Sequence, residues 1–353
     1  MRAKLFLIGS ACVFLLGTLS ASGQQPDIVH AKLDQASGSA GLSAAITNVT
    51  RLDAGPAWIG YAVPAVADGD GNGHANHGWS SCSADLEEGS NNTIGAGTAK
   101  EISNRQILIF LRARQQQIEK VRMFDASCRV DAGGLPVHWL TEVRPSDSVE
   151  LLHTYVQGDN WTDKDHAKGA ALAAIASTAD PSADAAMQQF TSASSPDGLR
   201  KEAVFWLGAV RGRKGYEMLR TIVKLDSSNE VRDRAVFALS ISPVPDAVDT
   251  LIDVARHDAS SHLRGQALFW LAQKTGAKAV GAISGATEND PDTQVKKRAV
   301  FALSQLPPDQ GVPLLIKVAQ SNPNLEVRKQ AFFWLGQSHD ARALDFITRV
   351  LMN

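Results

Sequence analysis

The sequence predicts an α+β chain in two parts, a small β-rich domain over residues 56–150 and an all-α solenoid of about six 32-residue helical hairpins over 160–353. Three observations predict it. A seven-residue pattern recurs at fixed spacing through the second half, which is how stacked repeats announce themselves. Short runs of β-branched and aromatic residues cluster ahead of it, as strands do. Glycine, proline and asparagine punctuate both kinds of run.

The chain opens with Met1-Arg2-Ala3-Lys4 and then LFLIGSACVFLLGTL, a charged start before an apolar run, closed by the small residues Ala21-Ser22-Gly23. That pattern reads as a signal peptide over 1–23. The run falls short of the roughly 20 apolar residues a membrane span needs, so no integral span is expected after cleavage, and a periplasmic or secreted location is expected. Cys12 leaves with the leader, because the most apolar stretch follows it where a lipoprotein signal would have that stretch precede it. Cys82 and Cys128 remain. An even count in an oxidising compartment points to a disulfide, with two separate buried thiols as the alternative. Lys and Arg number 35 against 37 Asp and Glu, and this balance leaves no broad positive field to gather nucleic acid or an anionic membrane.

Residues 24–55, rich in Ala, Ser, Gly and Gln, gain little from burial and are expected as a loosely held, flexible arm. From Pro56 the character changes. Trp58 to Val63, Gln106 to Leu111, Ile118 to Phe124 and Leu135 to Val143 read as strands, and Gly133-Gly134 between two of them is a hairpin signal. The segment 67–82 is too rich in Gly and Asn for regular structure. Within it Asp68, Asp70 and Asn72 match the first half of a calcium loop, but Trp79 stands where a bidentate Glu is required. His74 and His77 with Cys82 lack a secured fourth ligand for a transition metal. An ordinary Asp- and Gly-rich loop is the preferred reading, and no cofactor is expected.

In the second half EAVFWLG at 202, RAVFALS at 234, QALFWLA at 266, RAVFALS at 298 and QAFFWLG at 330 each begin 32 residues after the last, and AALAAIA from 170 is a weaker copy. The alanines at 171, 203, 235, 267, 299 and 331 hold one column. Val231, Ala235, Ala238 and Leu239 form one stripe of a helix, while Phe205, Phe237, Phe269, Phe301 and Phe333 project to another side. A second helix carries Leu219, Leu251, Ile283, Leu315 and Ile347, each followed three residues later by Ile222, Val254, Ala286, Val318 and Val350. RGRKG, SPVPD and LPPDQ separate the two. No hairpin covers its own faces, so neighbours must stack into one elongated core.

A basic column, Arg200, Arg232, Arg264, Lys296 and Arg328, keeps the register, and Ser194, Asp226, Asp258, Asp290 and Asn322 precede it by six residues. The pattern Val231-Arg232, Ala235, Ala238-Leu239, seen again as Val327-Arg328, Ala331, Leu335, resembles the bacterial HEAT-type repeat of the E-Z or phycobilisome-lyase-like variety. The stretch DAGGLPVHWL is similar to exported HEAT-repeat proteins. The resemblance implies that the basic column meets the acidic one as an internal ladder, with a partner-binding role for Arg200, Arg232, Arg264 and Arg328 as the alternative. Trp206, Trp270 and Trp334 alternate with Ala174, Ala238 and Ala302 at one position, so the full period is 64 residues. Large and small side chains packing in turn account for this. A row of aromatic anchors for a partner is the functional alternative.

There is no G-x-S-x-G elbow, phosphate loop or dinucleotide fingerprint, no free thiolate in the mature chain, and His138 and His153 stand alone. No catalytic residue is assigned. The expectation is an exported, non-catalytic scaffold that binds a protein or peptide of the cell envelope through the solenoid surface. A lyase-like enzyme or enzyme helper, which the phycobilisome-lyase resemblance implies, and a metal-responsive structural envelope protein are the rivals.

Overall fold

The computed structural model describes residues 26–52, 55–66, 83–87, 105–157, 166–274 and 276–352. The N-terminal part runs β1 (Asp27–Val29), β2 (Leu33–Ser37), α1 (Leu42–Leu52), β3 (Ala57–Pro64), β4 (Ser83–Asp85), β5 (Gln106–Arg114), β6 (Gln117–Asp125), β7 (Arg129–Asp131) and β8 (Val137–Thr141). Five strands form a mixed sheet in the order β2-β8-β3-β5-β6, with β8 parallel to both its neighbours and β3, β5 and β6 antiparallel in turn. The other three make a small parallel sheet, β1-β7-β4.

The near-continuous apolar run of β5 has its cause in this arrangement, since both faces of the larger sheet are covered. Ile59, Tyr61, Val63, Ile107, Ile109 and Leu111 face the helices. Trp58, Leu108, Phe110, Val137 and Trp139 pack on the opposite side with Leu86, Cys128 and Val130 of the small sheet region. Gly60 pairs with Phe110 and Trp139 at once. A Cβ there would come within 2.8 Å of both rings, so the close approach requires glycine.

Two expectations for this region are corrected. Residues 24–55 are not a flexible arm over their described part, because β1, β2 and α1 occupy it. Leu42, Ala45, Ile46 and Val49 recur at helical spacing and are buried in the main core, a period hidden by an alanine- and serine-rich composition. The hairpin is not at Gly133-Gly134 either. It joins β5 to β6 through Gln115 and Gln116, whose φ values of 50° and 65° make the tight turn that suits twisted antiparallel strands. Gly133 and Gly134, also at positive φ, carry the chain from the small sheet to the large one.

After α2 (Pro145–Val156) come six helical hairpins, α3 (His166–Ser177) with α4 (Pro181–Phe190), α5 (Asp197–Ala209) with α6 (Gly212–Leu225), α7 (Asn229–Ile241) with α8 (Asp246–His257), α9 (Ser261–Ala272) with α10 (Ala277–Asn289), α11 (Thr293–Ser304) with α12 (Pro308–Ser321), and α13 (Leu325–Gln337) with α14 (Ala341–Met352). Ser228, Ser260, Asp292 and Asn324, one repeat apart, cap α7, α9, α11 and α13 by accepting from backbone N–H groups of the first turn. The alanine column from Ala171 to Ala331 is fully buried throughout. The second-helix column is buried from Leu219 to Leu315 and opens at Val350, on α14.

The sheet-containing part and the solenoid pack against each other through one continuous apolar cluster. Ile59, Tyr61, Ile109 and Leu111 sit in the same apolar cluster as Leu172, Ile175 and the columns beyond. Polar links reinforce the joint. The Val66 N–H donates to Ser177 O at 2.9 Å and the Ala179 N–H to Pro64 O at 2.8 Å. The Tyr61 hydroxyl lies 3.0 Å from Ser148 Oγ, both fully buried, and burial raises the phenol pKa far above its ordinary value. Arg211 donates to Ala176 O and Thr178 O at 3.0 and 2.6 Å and pairs with Asp184, satisfying carbonyls that the end of α3 leaves open.

Candidate partner-binding face of the solenoid

The basic column is a ladder inside the stack. Arg200 pairs with Asp226 and Arg232 with Asp258, and Arg264 makes a bidentate pair with Asp290 at 2.8 and 3.0 Å. Each arginine reaches the loop that precedes the next repeat's first helix. The carboxylates also accept from the N–H of Ser228, Ser260 and Asp292, each at 2.8 Å, so each Asp joins two successive repeats and shapes a helix entry. In the last rung Asn322 replaces Asp, donating to Thr287 O at 2.8 Å, and Arg328 donates to Asn322 O at 2.7 Å. The Asp290 hydrogen bonds hold the Arg264 guanidinium above its ordinary pKa against burial. For Arg200 burial opposes the charge, and the bonds to Asp226 outweigh it. Lys296 departs from the ladder and donates to Glu288 O at 2.9 Å. These arginines are engaged internally, and their reading as partner contacts is set aside on that ground.

The aromatic residues are arranged differently. Trp206, Trp270 and Trp334 are half-buried and each stands at 4.9 to 5.1 Å from the phenylalanine beside it in sequence, Phe205, Phe269 or Phe333. Between repeats the contact alternates. Where the next unit has Ala238 or Ala302, the phenylalanines stack directly, Phe205 on Phe237 and Phe269 on Phe301, each with centroids 6.2 Å apart. Where it has Trp270 or Trp334, the indole meets the preceding ring, Phe237 at 4.8 Å or Phe301 at 5.0 Å. The result is one unbroken row of eight rings across α5, α7, α9, α11 and α13. None of the eight is fully buried, and Phe333 is 55% exposed. Packing and presentation thus coexist in the same side chains. The sequence showed the phenylalanine and tryptophan columns; that adjacent helices join them into a row required the structure.

Next to Trp334 a cleft of about 240 Å³ opens between α12 and the C-terminal turns of α11 and α13, floored by Leu303, Leu306, Val312 and Leu315. Of the row's rings, Trp334 lines it. Asp68, Asp70, Asn72, His74, His77 and Cys82 lie outside the described residues, whereas Cys128 is fully buried. Among the described residues no group of three metal-ligating side chains converges, and no helix is long and apolar enough to cross a membrane. His153 stacks on Phe190 at 4.9 Å and its Nε2 meets Gln189 Oε1 at 3.2 Å, a structural setting.

A search of curated proteins returned no match. Among solved structures, human deoxyhypusine hydroxylase in complex with glycerol is 17% identical, with 55% of this chain and 76% of that one covered and a TM-score of 0.30. The complex of CpcE and CpcF of phycocyanin lyase from Nostoc is 17% identical over 44% and 97%, at 0.34. The Cnd3–Cnd2 condensin subcomplex of S. pombe is 18% identical over 57% and 28%, at 0.35. These likenesses are too distant to carry function. Residues 184–272 and 282–353 match the profile of the HEAT repeats, and the helical half of this chain is a HEAT-repeat solenoid.

Proposed function

We propose that the chain is an exported, non-catalytic interaction scaffold that holds a protein or peptide of the cell envelope along the first helices of its solenoid. The observation that carries the reading is the unbroken, partly exposed aromatic row. Large aromatic side chains presented side by side on rigid helices supply contact area at little cost in side-chain entropy, and partner docking favours them. Export is supported by the leader composition of residues 1–23, and the mass of the mature protein tests it. A Cys82–Cys128 disulfide fits that compartment. It is supported by the bonded state of Cys128.

Cross-linking in the native envelope followed by mass spectrometry tests the scaffold. The expected result is a cross-linked protein whose adducts map to α5 through α13. Trp270→Ala supplies the decisive control. A lower melting temperature with partner capture unchanged rejects the row as a docking element, whereas loss of capture beyond the loss of folded protein supports it.

A further inference from the structure

Resting on the scaffold reading, we propose that the first-helix face of α9, α11 and α13 docks an acidic, extended peptide segment of its partner. Carboxylates of that segment meet Lys297 and Arg298, and an apolar side chain lies over Phe269 and Phe301.

The 64-residue period makes the solenoid its own control. On α5 and α7 the charges are internally balanced. Lys201 donates to Glu230 at 2.6 Å, Asp233 is paired with His262 at 3.1 Å, and the Arg234 guanidinium stands over the stacked rings of Phe205 and Phe237 at 4.9 and 5.1 Å. One full period later the ring pair is kept, Phe269 on Phe301 at the same 6.2 Å, while three carboxylates are lost and one is gained, Glu326 standing where the first half has His262 and pairing with Lys329. Glu202 becomes Gln266, Glu230 becomes Gln294, and Asp233 becomes Lys297.

Arg298 has the place of Arg234 but a different pose, and Gly265 is the reason. Gly265 stands where the first half has Lys201, and a Cβ on it would lie 2.4 Å from Arg298 Cδ. The arginine stem fills that space, and Nη1 donates to His262 O at 3.2 Å. No guanidinium or ammonium of the described residues therefore covers the Phe269–Phe301 pair. Lys297 makes no ion pair with any described residue, and Lys329 on the next helix is paired only within its own turn, with Glu326 at 3.1 Å. Two cations lacking carboxylate partners thus border an uncovered aromatic surface. Such a face is complementary to acidic side chains interspersed with apolar ones.

The test uses the full chain and fluorescence anisotropy with three labelled probes: a synthetic peptide alternating Glu with Leu and Phe, its Lys-for-Glu counterpart, and a single-stranded oligonucleotide of matched charge. The acidic peptide is expected to bind, more weakly as salt rises, and to lose about fivefold in affinity in the K297Q/R298Q variant. Lys297→Asp, which restores the residue type of position 233, is expected to cost more, and Lys201→Gln with Arg234→Gln to cost little. Circular dichroism melts confirm that the variants fold. Binding of the basic peptide or the oligonucleotide as tightly as the acidic one overturns the proposal, as does unchanged affinity in the Lys297→Asp protein. Envelope cross-links through another face with the acidic peptide unbound overturn this surface and leave the scaffold standing. A bound acidic peptide with no captured envelope protein would do the reverse.

Discussion

Arg264 and Arg328 occupy the same column of the repeat but hold different positions in the energy of the fold. Arg264 is buried, and both oxygens of the equally buried Asp290 accept from it. Truncating one member of such a pair strands the other charge away from water, at a cost of about 3 to 5 kcal/mol. Arg328, half-buried, bonds to backbone carbonyls of its own loop, for which about 1 kcal/mol is the ordinary worth. Denaturant unfolding should therefore show Arg264→Ala losing several times more stability than Arg328→Ala. A second residue-level prediction concerns acid. Hydrogen bonds from the Arg342 side chain and backbone lower the Asp340 pKa from 3.8 to about 2. A carboxyl depressed by folding stabilises above its unfolded pKa, and that contribution is lost as pH falls from near 4 through 2. Asp340→Asn should flatten the acid limb of the stability curve in that window and lower the plateau above pH 5, where the carboxylate's contribution is complete.

At the scale of the helix, the alternation of Trp with Ala decides how neighbouring first helices touch. Ala302 is fully buried and has the repeat position from which Trp270 and Trp334 reach the preceding phenylalanine, so Ala302→Trp must disturb the Phe269–Phe301 stack. Overpacking of this kind costs about 1 to 3 kcal/mol. Trp270→Ala instead removes contacts with Phe237 and Phe269, about 2 kcal/mol once its half-exposure is allowed for. If the two changes are made together they should not add, because the rings they disturb form one row; a double-mutant cycle by thermal melting checks this. These helices were legible in sequence because a period repeated five times averages out local ambiguity, whereas the ladder was expected only from the resemblance to HEAT-type repeats. The strands Trp58 to Val63 and Gln106 to Leu111 were legible for a simpler reason, being short, apolar and β-branched or aromatic. β1, β2 and α1 were not, since parallel pairing of β2 with β8 joins residues more than a hundred apart, and nothing local specifies it. The contrast between Asp233 and Lys297 was present in the aligned repeats, yet it acquired meaning only once Arg234 was seen over its rings and Arg298 was seen folded on Gly265.

For the whole molecule the consequence of a shared core is a gradient. Solenoids behave as chains of nearest-neighbour interfaces, so a unit gripped on both sides opens less often than one gripped on a single side. The α3–α4 unit is held by the sheet through Tyr61 and Ser148, by strand-like backbone bonds at Pro64 and Val66, and by Arg211 from the following repeat. In the α13–α14 unit Leu344, Val350, Leu351 and Met352 are exposed. Local opening free energies track such differences in buried contact. Amide hydrogen exchange of the full chain should therefore be slowest in β3, β5 and α3, intermediate from α5 to α11, and fastest in α14. Tyr61→Phe orphans the buried Ser148 hydroxyl, a loss of about 1 to 2 kcal/mol, and its effect should be concentrated at the sheet end, speeding exchange in α2 and α3 before α11 responds. Uniform exchange along the solenoid, or a Tyr61→Phe effect spread evenly to α13, would mean that the stack opens as one body and that the joint to the sheet does not anchor it.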